Sequence, residues 1–233
     1  FLGLCAVSYI LHTVQNFRFV YDMPSLAFFA LGLYLIYFRK PVIWLVALFT
    51  VATLNRETTL FLLPLYMLSQ GAAEDGFDWR RAVAADVLLV VVPLALYWIA
   101  WHQFIFHTFA GNASEYYPRI PFNLRCLARL RYYPQLASGF GFLLPFLFLY
   151  RRHIHDLQLR AWLAVIPLWI GFMFTWGILV ETRVFGELLP FIAPLAVLVA
   201  EEALTEKFQR QQLEAMVAEP EEAPRAATVA RAA

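Results

Sequence analysis

Long apolar runs separated by short charged clusters make up most of the chain. Stretches free of Asp, Glu, Lys and Arg cover 1–17, 23–38, 41–55, 58–73, 87–114, 132–150, 161–180 and 188–200. A helix that crosses a bilayer needs roughly 20 apolar residues. Segments 132–150 and 161–180 reach that length, as does the first part of 87–114. The runs 41–54 and 58–70 are shorter, about 20 Å each at 1.5 Å per residue. No run alternates with period two, which argues against a barrel. Helices, which satisfy their own backbone, are the remaining way to place such runs in lipid. The pattern predicts an all-α, polytopic transmembrane bundle with about eight hydrophobic segments.

Basic residues orient the bundle. Arg39-Lys40, Arg80-Arg81, Arg151-Arg152, Arg160, Lys207 and Arg210 fall between or after the segments, and cytoplasmic loops carry the excess of Lys and Arg. Eight alternating segments put all of these on one side. Merging 41–70 into one span would separate Arg80-Arg81 from Arg39-Lys40. Two short legs, crossing or re-entrant, with their tip toward the outside are therefore expected. Residues 39–40, 71–86, 151–160 and 202–233 become cytoplasmic. The opposite side receives Arg18 to Asp22, Asn55-Arg56-Glu57-Thr58, the loop 107–131, and the stretch from Glu181 to Glu187. The loop 107–131 breaks the charge rule with Arg119, Arg125, Arg129 and Arg131.

Composition agrees with this reading. The 233 residues are 61% hydrophobic and 15% charged, with a mean hydropathy of +0.62, whereas soluble domains carry about 25% charged residues. Aromatics reach 17%, which suits interfacial anchoring. A net charge of +1 without a long basic run gives no reason to expect nucleic acid. Residues 1–17 have no basic n-region and no small-residue cleavage site, so they read as the remainder of a helix rather than a signal peptide. The chain reads as the C-terminal part of a longer protein. Residues 1–201 form the transmembrane domain, 202–217 a cytoplasmic helical extension, and 218–233 a disordered tail without a core-forming pattern.

Four polar groups are candidates for chemistry. Asn55-Arg56-Glu57-Thr58 joins two legs too short to reach both surfaces, so its charges lie below the membrane surface. Such charges are costly and mark either function or an internal clamp. Glu181, Arg183 and Glu187 form a second cluster, with Arg183 and Glu187 spaced to share a helix face. Charges of the first cluster are also expected to cross-pair with Glu181 or Arg183, a structural use. Asp22, followed by Pro24, is good helix-start chemistry or a carboxylate at a cavity mouth. Arg119, Arg125 and Arg129 can fork onto phosphate oxygens, or belong to a basic helix lying on anionic headgroups. No HExxH or paired-Cys spacing exists, so this chain alone offers no metal site. His107 is a single ligand at most, for a divalent metal completed upstream.

The run Tyr21-Asp22-Met23-Pro24 into an apolar helix, a basic turn at Arg39-Lys40, and Asn55-Arg56-Glu57-Thr58 leading into Leu62-Leu63-Pro64-Leu65 form an ordered set. Together with Glu181-x-Arg183 and Glu187-x-x-Pro190, this order resembles the GT-C type integral membrane glycosyltransferases that use polyprenyl-phosphate sugars. The resemblance covers roughly residues 15–200 and rests on order and spacing rather than on one motif. Relatives often carry Lys where Arg56 stands. The resemblance implies sugar transfer from a polyprenyl-phosphate donor on the non-cytoplasmic face of a bacterial inner membrane. It places the main catalytic carboxylate upstream. Asp22, Glu57 and Glu181 would position polar groups, while Asn55, Arg56, Arg119, Arg125, Arg129, Arg183 and Glu187 would hold the donor. Two other readings stay open: a polytopic transporter or flippase, whose sites also use short broken helices, and a non-catalytic membrane assembly subunit.

Overall fold

The computed structural model describes residues 22–73, 76–110, 118–133, 136, 143–181 and 186–218. It is mostly helical. The first hydrophobic segment, 1–17, and residues 219–233 of the tail lie outside the described residues. Helix α1 is Asp22–Tyr37, α2 is Val42–Asn55, and a short 3-10 turn, Glu57–Phe61, runs into α3, Leu62–Gly71. A four-residue α4, Trp79–Ala82, precedes α5, Ala85–Thr108. Then come α6, Ile120–Leu127, α7, Leu143–Leu149, α8, Leu157–Trp162, α9, Val165–Trp176, and α10, Leu189–Ala218.

Local sequence explains most of the boundaries. Helix α1 ends with Arg39 in the left-handed region, at φ 48°. Lys40 N–H then donates back to Leu35 O at 2.9 Å, the closure typical of a helix C-terminus. Pro41 follows and starts α2. Asp78 caps α4 by accepting from Arg80 N–H at 2.8 Å, and Asp156 caps α8 by accepting from Leu159 N–H at 3.0 Å. Side-chain acceptors at these positions satisfy donors that the first helical turn leaves open. The described residues are mostly helical, with one short exception. Ala72–Ala73 and Gly76–Phe77 pair as a two-residue antiparallel ladder. Gly76 has φ 133°, a backbone region that residues with a Cβ rarely adopt.

Three helical stretches are long and apolar enough to cross a membrane: Ala85–Thr108, Leu157–Trp176 and Gly186–Ala215. Met23–Tyr37 and Val42–Asn55 are apolar but shorter. Of the predicted 132–150 segment, the structure describes helix at Leu143–Leu149, while 134–135 and 137–142 lie outside the described residues. The eight-segment count is thus not reproduced. The turn between α8 and α9 divides apolar sequence that hydropathy alone reads as continuous.

Helix α1 packs against α2, α3 and α10, while α5 lies along α2 and α3. Trp169, fully buried, meets Phe61 at 4.4 Å and Phe29 at 5.7 Å between ring centroids. The two short legs do return to one end of the bundle. Arg39, just before α2, donates through Nη2 to Ala72 O, just after α3, at 3.0 Å. Tyr37 donates to Asp156 Oδ2 at 2.8 Å nearby. Buried Trp162 donates through Nε1 to Ser69 Oγ at 2.7 Å, tying α8 to α3. The far ends of the legs, around Arg56, lie at the other end, where Tyr97 of α5 donates to Thr50 O at 3.1 Å and Trp98 to Glu57 O at 2.8 Å.

Close approach of α1 to α3 depends on Gly32. A Cβ there would sit 2.7 Å from both Leu62 methyl carbons, and Leu62 is itself buried. Gly32→Val is expected to destabilise the bundle by about 1–3 kcal/mol, as overpacking does. Combining it with Leu62→Ala should recover part of the loss, which thermal unfolding in detergent would measure.

Candidate functional site

Three elements that are remote in sequence converge at the end of the bundle away from Arg39 and Asp156. Ser25 lies in the first turn of α1, Arg56 at the extended break between α2 and the 3-10 turn, and Glu187 just ahead of α10. Ser25 Oγ donates to Glu187 Oε1 at 2.5 Å. Arg56 Nη1 lies 3.1 Å from the same oxygen, with side chains 10% and 3% exposed for Arg56 and Glu187. One carboxylate oxygen therefore holds both a hydroxyl and a guanidinium. The other, Oε2, is buried with no hydrogen-bond partner among the described residues. Thr58 faces this carboxylate, but its hydroxyl falls short of hydrogen-bond geometry and is likewise buried without a partner among the described residues.

The local backbone makes this possible. Arg56 has φ −158° and ψ 145°, so the chain leaves the helix for one residue before the 3-10 turn begins. Its N–H still donates to Ala52 O at 3.1 Å, which closes α2. That single extended residue turns the side chain out of the helical register. A charge held in such apolar surroundings is costly unless paired and hydrogen-bonded, and Glu187 supplies the pairing. Arg56 pairs with Glu187 because α10 begins beside the break, a partner the sequence did not single out for it. Glu181 is half-buried after α9, with its N–H on Ile178 O at 2.9 Å.

The remaining predicted residues are spread along this end. Asp22 is the first residue of α1 and Asn55 the last of α2. Glu57 opens the 3-10 turn, and its carbonyl receives the Trp98 indole. Arg183 lies outside the described residues. Arg119, Arg125 and Arg129 belong to the segment that closes the end of α9. Arg119 N–H donates to Thr175 O at 2.7 Å. Fully buried Asn123 donates through Nδ2 to Phe174 O at 2.8 Å and Gly177 O at 2.9 Å, and accepts from Leu179 N–H at 3.1 Å. One side chain thus satisfies carbonyls that a helix end leaves open. Arg125 and Arg129 are exposed, and neither is a partner of Glu187. Ser25 was not a candidate from sequence. The only available signal was that it is the single Ser or Thr in the apolar run 23–38.

Compared with protein-family models, with curated proteins and with solved structures, the chain matches none. The site therefore rests on its own geometry. Among the described residues no three His, Cys, Asp or Glu side chains form a ligand set. His107 sits in the last turn of α5, in ring contact with Phe106.

A clamp and a working site respond differently to mutation. Arg56→Leu or Glu187→Leu alone is expected to cost about 3–5 kcal/mol by stranding a buried charge, and the double change should regain most of it. A double-mutant cycle on thermal unfolding checks this. Strictly additive losses would show that the two groups are not coupled.

Proposed function

We propose that this chain is part of a multi-pass membrane glycosyltransferase of the GT-C type, acting with a polyprenyl-phosphate-linked sugar on the non-cytoplasmic face of a bacterial inner membrane. The observation that carries the reading is the buried Arg56–Glu187 ion pair at a helix break. Oε1 is held by Ser25 and Arg56, and buried Oε2 has no hydrogen-bond partner among the described residues. Ser25 and Arg56 fix the carboxylate, and a carboxylate held in this way can orient a polar substrate group once its buried Oε2 is uncovered. The adjacent guanidinium supplies positive charge for a departing lipid phosphate. The resemblance set out above assigns the general base to residues upstream, so Glu187 and Arg56 position and balance charge rather than abstract the proton.

Topology supports the same reading. Arg39, the Arg80-Arg81 turn beside α3, Arg160 and Asp156 gather at one end of the bundle, and Arg56 with Glu187 at the other. The basic end faces the cytoplasm under the charge rule, which puts Glu187 on the outer side. The ion pair also favours a second reading, a non-catalytic assembly subunit in which Arg56 and Glu187 only lock helices together. Stability alone explains the pair poorly, because an apolar pair of similar volume often holds helices as well.

Sugar transfer from a polyprenyl-phosphate donor by the full-length protein in membrane vesicles separates the two. Arg56→Lys should keep partial activity. Arg56→Leu should lose about 10²-fold or more, as for removal of a charge-stabilising group, with folding confirmed by thermal unfolding. Recovery of activity together with stability in the Arg56→Leu, Glu187→Leu double variant would overturn the enzymatic reading.

A further inference from the structure

We propose that residues 118–133 form an interfacial segment that lies on the anionic phospholipid headgroups of the bilayer holding the bundle. The segment contains Arg119, Arg125, Arg129 and Arg131 and no Asp or Glu. Its depth is set by the bundle. Asn123 and the Arg119 N–H fasten it to Phe174, Thr175 and Gly177, at the end of the 20-residue apolar stretch Leu157–Trp176. The end of such a stretch is where hydrocarbon meets headgroup.

One side of the segment is committed to this attachment, since Asn123 and Cys126 are buried. Away from it, Phe122, Leu124, Leu130 and Tyr133 are exposed, Leu130 to 81%. In water such a surface would be unfavourable. At an interface the apolar side chains enter the acyl boundary while arginines meet phosphates, the arrangement of membrane-surface helices. The arginines are held for this. Arg125 Nε donates to Pro121 O at 3.2 Å, and Arg131 Nη2 donates to the Tyr132 hydroxyl at 2.8 Å while lying over that ring. Charge complementarity and depth favour lipid over a protein partner: a polybasic segment near a bilayer is drawn to anionic headgroups, and this one is bonded to a helix end at headgroup level. Arg125 and Arg129 thereby hold bilayer phosphates rather than the sugar donor. The inference rests on the membrane placement proposed above and is independent of the catalytic reading.

The test uses the full-length protein with Cys5→Ser, Cys126 being buried, reconstituted into phosphatidylcholine vesicles with or without phosphatidylglycerol. A bimane label is placed through Leu130→Cys or, as a control on lipid-facing α5, through Leu89→Cys, where the side chain is 75% exposed. Brominated acyl chains should quench both labels when phosphatidylglycerol is present, and aqueous iodide should quench neither strongly. Adding Arg125→Gln, Arg129→Gln and Arg131→Gln should reduce bromolipid quenching at position 130 several-fold and leave position 89 unchanged. Asn123→Ala, which frees the segment, should expose position 130 to iodide. Strong iodide quenching at 130 with bromolipid quenching kept at 89 would overturn this inference alone. Shielding of 130 from iodide without bromolipid quenching would mean that protein covers it and would also overturn it. Absence of bromolipid quenching at 89 would remove the membrane placement itself.

Discussion

Wherever an apolar bundle interrupts a helix, the freed polar groups need partners from inside the protein, because burying them unpaired is expensive. This requirement organises the whole chain. The Arg56 guanidinium, turned inward at the break, is paired by Glu187, 131 positions later by residue number. The end of α9 is closed by Asn123, about 50 residues earlier. Beside the turn after α1, Arg39 satisfies Ala72 O at the end of α3, and Tyr37 bonds Asp156. Each contact joins elements that hydrophobic packing alone would leave free to slide, since an apolar surface has no preferred register.

The two ends of the bundle solve the problem differently. At the basic end the partners are backbone carbonyls and capping carboxylates, with Arg160 folded onto Ile154 O and Asp156 serving both Tyr37 and Leu159. At the other end a charged pair sits among apolar residues, with Glu187 Oε2 buried beside Thr58. The buried ion pair is the reason for placing function at the Glu187 end, since unpartnered buried atoms occur elsewhere among the described residues too, Gln158 Nε2 on α8 among them.

The outer segment 118–133 connects structure and surroundings in the same way. Its buried side completes α9, and its exposed side has the composition of a membrane surface helix. One short helix therefore both ends a long apolar stretch and, under the proposal above, meets the headgroups at the level where that stretch stops. The arginines at odds with the charge rule lie on this segment, whose attachment to α9 fixes their place in the bundle.

Several properties follow from sequence alone, for a physical reason. Helical class, apolar character and the two short legs are local consequences of composition and run length, and they are legible because helices satisfy their own backbone. Asn55-Arg56-Glu57-Thr58 stood out because charges between apolar runs are costly wherever they end up. Glu187 stood out for the same reason. Their pairing was not legible. Spacing along one helix favoured Arg183 with Glu187, and Ser25 looked like part of a helix start. Only the tertiary structure brings the start of α1, the break at Arg56 and the start of α10 to one point, because that depends on how helices remote in sequence pack. The turn between α8 and α9 was not legible either. Hydropathy measures how apolar a run is, but where a helix breaks is decided by the partners that wait for its freed polar groups.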